Sequence, residues 1–514
     1  MIEELKKVIK GEVKDDEATL QHYSADGSIF EVKPKAVVLP QGQEDLIELV
    51  KFVSQQRKMG NEISLTARGK GTDLTGGPLS EGIIVRFSGY MDKILEIGED
   101  YVRVEPGMIY GELQKELAKK GHWIPVNPAS GAFCSVGGMV ANNSGGTRAL
   151  KYGNTRKYVK SLKVILSDGS EIDTSKDRIP QADQLRLILE QHRDLIQAYT
   201  PHVTKNSSGY ALADFLATND ITQLFIGSQG TLGLIQGITF HTIAKPGEEG
   251  VLLGYFDSLS KAGEAVQRLL PLKPSALEMV DKHIIDLIKT LEPELAQDIS
   301  ERTPEIILFC EFDGANEEEV LAQFAPARRI MQELAFQVGE AIKPPQEDRL
   351  WKLRNESAKI VTHMKGNVRA VPLEFDCTVP VNSLLQYIEM TDKIFKDFGF
   401  EYASWGHIGD ANFHIRPILN FEIQEERAKL ANLVIAMYEM VGQLRGSATG
   451  EHNDGIMSTP FLYLTYGQDM VDLFREAKKI FDPLDIFNPF KKVGMTVDHF
   501  NRFLRKDFKN YYSF

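Results

Sequence analysis

The 514-residue chain is poor in cysteine: Cys134, Cys310 and Cys377 are its only three, far apart and in no Cys-x-x-Cys arrangement. That excludes a disulfide framework, an all-cysteine zinc site and a self-contained iron–sulfur cluster, and it suits a reducing compartment. No run of about 18 apolar residues occurs, so no membrane-spanning helix is expected. The opening MIEELKKVIKGEVKDDEA is too charged for a signal peptide. Basic charge is in deficit, since 59 Lys and Arg against 72 Asp and Glu leave a formal net charge of −13. Such a balance keeps a chain soluble and argues against nucleic acid as a partner. Internal repeats and low-complexity segments are also missing. What remains, 42% apolar and 25% charged residues, is globular composition. At about 150 residues per domain the length allows three to four units or two large ones. A cytoplasmic location is expected, either free or peripheral at the inner face of the membrane.

Hydropathy patterning divides the chain. A short amphipathic helix opens it at 2–9, and a βαβ rhythm follows: a strand at 36–40, a helix over 42–60 and a strand entering a glycine-rich loop at 64–77. Further strands are predicted at 82–87, 101–107 and 159–172, with a helix at 109–121 and a longer one over 182–199. KPGEEG, from residue 245, is a charged connector. Beyond it, strands at 251–256 and 305–312 alternate with helices at 258–270, 316–338 and 382–397, which predicts a second, α+β domain. Residues 420–492 read as mainly helical. The tail 493–514 carries Phe500, Phe503, Phe508, Tyr511, Tyr512 and Phe514 among lysines and arginines. It reads either as a helix packed on the body or as an aromatic–basic contact with a membrane surface or partner.

Two segments are unusually rich in glycine and asparagine: ARGKGTDLTGG (67–77) and PASGAFCSVGGMVANNSGGTRALKYGNTR (128–156). Glycines let a backbone approach a ligand and expose N–H groups as an anion nest. Neither segment fits G-x-x-x-x-G-K-[ST], and 67–77 does not fit G-x-G-x-x-G, so P-loop and Rossmann readings fail on pattern. Together with SQGTLGLI (228–235), they resemble the flavin-binding domain of the vanillyl-alcohol-oxidase (PCMH) type of FAD enzymes. The resemblance is strongest to the branch of D-lactate, glycolate and D-2-hydroxyglutarate dehydrogenases. It implies an α+β chain: a two-subdomain PCMH-type FAD-binding domain at 1–244, a substrate or cap domain at 245–440, and a helical segment at 441–492 that completes the active site. Carried over residue by residue, it implies that Arg68, Gly69, Gly71, Thr72, Gly76 and Gly77 cradle phosphate. Pro128, Ser130, Gly137, Gly138, Asn142, Asn143, Gly145 and Gly146 would line the flavin, and Gly230, Gly233 and Ile235 would close the site. Many covalent flavoproteins of the superfamily place a histidine in the first loop; residues 70–72 hold none, so non-covalent FAD is expected. Lys70 and Asp73 stand where relatives carry small or apolar residues.

A second signal is SWGHIGDANFHIRP (404–417), followed by ATGEHNDG (448–455). A hairpin turning between Asp410 and Ala411 would set His407 and His414 directly opposite, with Cβ atoms about 4.5–5.5 Å apart. Two imidazoles and a carboxylate with an open position form a catalytic metal pattern. Histidines flanking a turn are also common as surface or hydrogen-bonded core residues, so spacing alone leaves both readings open. H-x-G-D-x-N-x-H followed by G-E-H-x-D-G resembles the signature of metal-dependent 2-hydroxy-acid dehydrogenases. That resemblance implies His407, His414 and Glu451 as ligands of a divalent ion, usually zinc, and His452 as general base. RLWKLRNES (349–357) resembles the segment whose arginine pairs with the substrate acid, which points to Arg354.

Two departures bear on substrate. Relatives read G-E-H-G-D-G-x-x-R, whereas this chain has Asn453 and Ser458 in place of the glycine and the arginine. D-2-hydroxyglutarate dehydrogenases carry a lysine where this chain has Glu374, so a dicarboxylate is the weaker candidate. The expected function is FAD- and metal-dependent oxidation of a small D-2-hydroxy acid, D-lactate-like first. Electrons would pass to a separate quinone, cytochrome, electron-transfer flavoprotein or iron–sulfur protein; a homodimer stays open. The alternatives are a metal-independent flavin oxidase of the same fold and a decayed flavin-binding electron-transfer subunit.

Overall fold

In the computed structural model, residues 2–342, 346–361, 364 and 367–507 are described. Phe508, Tyr511, Tyr512 and Phe514 of the tail lie outside the described residues. Phe500 and Phe503 lie on the helix Val497–Phe503 and are buried, Phe500 edge-on to Phe30 and Phe461. This part of the tail therefore packs on the body.

The first half holds two larger sheets and a two-stranded ribbon of His122–Trp123 with Ile243–Ala244. Ala36–Leu39, Ile83–Arg86 and Leu65–Arg68 run parallel, with Glu12–Lys14 antiparallel at the edge. Ala36–Leu39 and residues 83–85 are continuous apolar runs, buried throughout because both faces are covered. The helix Gln43–Lys58 packs Leu46, Leu49, Val50 and Val53 against this sheet, one stripe at helical spacing. The second sheet is five-stranded and antiparallel, in the order Ile94–Ile97, Tyr101–Val104, Leu234–His241, Val159–Ile165, Glu171–Asp173. The helix expected over 182–199 is two helices, Pro180–Gln191 and Arg193–Tyr199, because the backbone leaves helical geometry at His192.

The second half is built on a seven-stranded antiparallel sheet, ordered Gln337–Ala341, Glu248–Phe256, Ile306–Gly314, Ala276–Asp281, Glu401–His407, Asn412–Asn420, Val368–Ala370. Alternation along Glu248–Phe256 sends Leu252 and Phe256 into one core, with the helices Leu259–Leu269, Glu317–Leu334, Leu384–Phe398 and Leu430–Gln443. Val251, Leu253 and Tyr255 enter the other, with Lys282–Leu291 and Gln346–Ile360. Two helical layers thus sandwich one sheet, an α+β arrangement.

The chain end then returns to the first half. The helix Gln468–Phe481 places Leu473, Phe474, Ala477 and Phe481 in the core of the five-stranded sheet, and Ile486 and Phe487 join the core of the parallel one.

Candidate active site

A cavity of about 790 Å³ opens between the two halves, within the range of small-molecule sites, about 300–1,000 Å³. Of the residues singled out for cofactor, Gly69, Gly71, Thr72, Gly77, Pro128, Ser130, Gly138, Asn142, Gly145 and Gly146 line it. The others stand behind the wall. Arg68 is buried and donates to the carbonyls of Tyr23 and Ala25 at 3.3 and 2.7 Å. Gly76 packs on Ile456 and Phe30, Gly137 on Pro106, and Gly233 on Val164. Asn143 caps a helix in the left-handed region, φ 54°; Gly230 holds a turn at φ +67°; Ile235 is core. These residues shape the loops rather than face the cavity, because a tight backbone approach needs support as well as surface. Gly146, at φ +140°, has no room for a Cβ, which would fall 1.9 Å from the carbonyl oxygen of Asn127.

Asp73 knits the two glycine-rich segments together. Its Oδ1 accepts from the N–H groups of Thr75 and Gly77 at 2.8 and 3.0 Å, and its Oδ2 accepts from Asn142 Nδ2 at 2.8 Å. The departure at this position therefore places an internal anion on loop N–H groups, while Lys70 lines the cavity.

The hairpin places the two histidines one step away from the expected register. Ile408–Asp410 forms a 3-10 turn with Ala411 left-handed at φ 49°, so His407 pairs with Asn412 and His414 with Trp405. The histidines are diagonal neighbours on one sheet face. The diagonal still brings Nε2 of His407 within 3.3 Å of Nε2 of His414, and Glu451 Oε1 lies 3.0 and 3.5 Å from those two atoms. Donors on a tetrahedral ion at about 2.0–2.1 Å stand about 3.3 Å apart, so this triangle fits a divalent ion. Asp376, His414, Glu451 and His452 form a looser set, with donor atoms within 4.8 Å of one another.

The surroundings fix the protonation pattern. Burial disfavours charge on His407, but Glu278, 2.6 Å from its Nδ1, overcomes this and lifts it to about 9. The Nδ1 proton then points at Glu278, and Nε2 must release its own proton before it can ligate an ion. Burial and the neighbouring imidazoles of His452 and His407 hold His414 well below the usual histidine range. Glu451 is held well below the carboxylate range against its burial, by Lys205 at 3.2 Å and by His407. His452 stacks on His414, ring centroids 4.8 Å apart. Its proton affinity is raised despite burial by Asp376 and Glu374. Arg354 lines the cavity, and its Nε and Nη2 both reach Glu278 Oε2, at 2.9 and 2.7 Å.

Residues 34–175 match the FAD binding domain family, and residues 245–492 match the family of FAD linked oxidases, C-terminal domain. The chain belongs to the FAD-linked oxidases. Glycolate oxidase subunit GlcD of Bacillus subtilis (strain 168) is 27% identical over 473 residues, 90% of this chain and 89% of that protein. A D-lactate dehydrogenase of Anaerostipes hadrus is 28% identical over 489 residues, 93% of each. A D-2-hydroxyglutarate dehydrogenase of Escherichia coli (strain K12) is 25% identical over 494 residues, and the match spans 90% of this chain and 48% of that protein. The fold is shared with 4-ethylphenol oxidase from Gulosibacter chungangensis, at TM-score 0.70 and 17% identity over 96% of this chain and 97% of that one. An alkyldihydroxyacetonephosphate synthase gives 0.65 and 17% over 95% and 84%.

As an FAD-linked oxidase the chain is a flavoprotein oxidoreductase of the type that acts on CH–OH groups, with FAD as cofactor. Asn453, in the place of the relatives' glycine, keeps a left-handed backbone at φ 69°, and its Nδ2 donates to the carbonyls of Asn142 and Gly227. Asparagine tolerates that region better than other side-chain-bearing residues, so the loop survives the change. Ser458 is buried against Tyr438, 2.7 Å between hydroxyls, away from the cavity wall. Four residues of the site went unremarked in the sequence: Glu278, Asp376, Lys205 and Arg416. An acid inside an apolar strand, as in ALEMVD and EFDCTV, was the available signal for the first two. Lys205 and Arg416 carried none.

Proposed function

We propose that the chain is an FAD- and divalent-metal-dependent dehydrogenase that oxidises a D-2-hydroxy acid, with D-lactate the first choice, to the 2-oxo acid. One observation carries this reading: the triangle of His407, His414 and Glu451 donors stands at the wall of the same cavity that the glycine-rich loops line. In it, residues 1–244 with 441–492 hold FAD without a covalent bond, and 245–440 bring the substrate to it. When bound, FAD supplies the acceptor for the hydrogen leaving C2, and a divalent ion, zinc by its ligand chemistry, supplies positive charge beside the 2-hydroxyl.

The chain's own residues do the rest. Arg354, its guanidinium plane fixed by Glu278, pairs with the substrate carboxylate and sets which face of C2 meets the flavin. His452 takes the hydroxyl proton; its Nδ1, buried without a hydrogen bond, lies 3.5 Å from Glu374. Lys205 keeps Glu451 ionised, and Glu278 orients the His407 ring with Nε2 toward Glu451 and His414, before any substrate arrives. With three cysteines, all free and buried, the electrons leave through a separate quinone, cytochrome, electron-transfer flavoprotein or iron–sulfur protein.

The test is an anaerobic absorption spectrum of the purified holoprotein before and after D-lactate, repeated after chelation. Bleaching by D-lactate but not by its L-enantiomer, lost on chelation while FAD stays bound, is the expected result. Bleaching that survives chelation would favour a metal-independent flavin oxidase. A flavin that no 2-hydroxy acid bleaches overturns the substrate class.

A further inference from the structure

Three guanidinium groups line the cavity, those of Arg148, Arg354 and Arg416, and each carries a buried carboxylate; Arg148 is bound by Glu249 and Glu311. Arg354 is held by Glu278. On the sheet floor, Arg416 directs both Nε and Nη2 to Glu374 Oε2. Arg416 and Glu374 are 3% and 4% exposed, so the pair is shielded from solvent yet borders the cavity. The Trp405 ring lies under the guanidinium at 5.3 Å and sets its plane. The other oxygen of Glu374 stands 3.5 Å from Nδ1 of both His414 and His452, so the carboxylate sits between Arg416 and the imidazole cluster. Arg416 Nη1 is buried and without a hydrogen-bond partner.

We propose that the Glu374–Arg416 pair is a specificity determinant: it restricts the site to 2-hydroxy acids whose side chain is uncharged. This rests on the functional reading above and names its substrate class. A 2-hydroxy acid brings one carboxylate, which Arg354 can receive because Glu278 shares its charge with His407, whose Nδ1 lies 2.6 Å from the other oxygen of Glu278. A dicarboxylic acid brings a second, and the other two guanidiniums on the cavity wall are already neutralised, Arg148 by Glu249 and Glu311 and Arg416 by Glu374. Setting that second carboxylate against the pair puts two anions on one buried cation, where like charge is poorly screened. Removing the charge of Glu374 reverses the argument. Arg416 then has an uncompensated charge and an unpartnered Nη1, both of which a distal carboxylate satisfies.

The experiment uses the holoenzyme and its Glu374→Gln variant, which keeps the size of the side chain and an oxygen for Arg416. Metal and flavin content per chain are measured in both. The ratio of kcat/KM on D-2-hydroxyglutarate to that on D-lactate is expected to rise at least tenfold in Glu374→Gln, and to fall back when Arg416→Met is added. A ratio within twofold of the unmodified enzyme overturns the proposal. A readout free of turnover accompanies it, the perturbation of the flavin spectrum by 2-oxoglutarate against that by pyruvate. Glu374→Gln should tighten 2-oxoglutarate relative to pyruvate at least tenfold, and unchanged relative binding again overturns the assignment. Failure of the broader reading looks different: the unmodified holoenzyme would be bleached by no acid in the panel, D-lactate included.

Discussion

Three donors converge on the carboxylate of Asp376: the backbone N–H groups of Glu451 and His452, each at 2.8 Å, and Asn412 Nδ2 at 2.9 Å. This residue aims both the Glu451 and His452 side chains by holding their backbone. Asp376→Ala would leave two buried N–H groups unpaired at about 1–3 kcal/mol each. Metal affinity should fall by about 10–100-fold, the usual loss when a support of metal ligands is removed. Metal content after dialysis, with FAD content as the control, checks this; full metal retention would mean that the loop holds itself. Asp26 makes a separate residue-scale case. Burial, with the Asp73 carboxylate adding to it, pushes the Asp26 carboxyl up to about 7. The folded state thus keeps a proton that the unfolded chain releases near the ordinary value of about 3.9. Folding stability should therefore fall as pH rises from about 4 to 7, by up to roughly 4 kcal/mol, and then level off. Asp26→Asn, which keeps an acceptor for the Ser28 N–H, should flatten that slope in denaturant titrations at pH 5 and 8.

Single elements explain both what the sequence could announce and what it hid. The glycine-rich loops were legible because backbone approach demands a residue type, and type is visible in a sequence. The roles of Gly137 and Gly233 inside those loops were not, since packing on Pro106 and on Val164 depends on strands far away in the chain. The hairpin was legible as two histidines about a turn. Its register was hidden by the left-handed Ala411, which lets the turn span four residues and shifts the pairing to His407 with Asn412. Lys205 comes from a loop with no periodic signal, and only tertiary contact brings it to Glu451. The helix Gln468–Phe481 was readable as a helix but not as part of the first half's core. Phe474 sits edge-on to Tyr210 and Tyr466, at ring centroid distances of 5.9 and 5.2 Å. Phe474→Ala should cost about 3–5 kcal/mol, seen as a lower midpoint of urea unfolding and as flavin release at lower temperature than in the unmodified protein.

Across the whole molecule, chain order and spatial order disagree, and the cavity depends on the disagreement. The carbonyls of Gly77 and Gln229, on two separate flavin-side loops, both accept from Asn488 Nδ2, at 3.0 and 2.8 Å. Lys478 Nζ donates to the carbonyls of Thr231 and Phe487 at 2.9 and 2.6 Å. The far end of the chain thus clamps loops that begin some 400 residues earlier, with Asn488 and Gly77 separated by 411 positions. The two halves also meet through Arg148, whose Nε reaches the buried Glu311 at 2.9 Å, and through Tyr152, which donates to Asp313 at 2.7 Å. A cut at residue 244 therefore does not yield a complete flavin domain. It strips Phe474, Phe481, Ile486 and Phe487 from two cores and unpairs the loop carbonyls. Loops that lose both apolar cover and their clamp are drawn to the low-stability end of a structure. Residues 1–244 expressed alone should therefore fail to retain FAD through gel filtration. Joining residues 467–492 to them, by a flexible linker or by coexpression, should restore the yellow, FAD-bearing peak. Retention of FAD by 1–244 alone, at the affinity of the full chain, would show that the returning segment only covers the cofactor loops and does not build them.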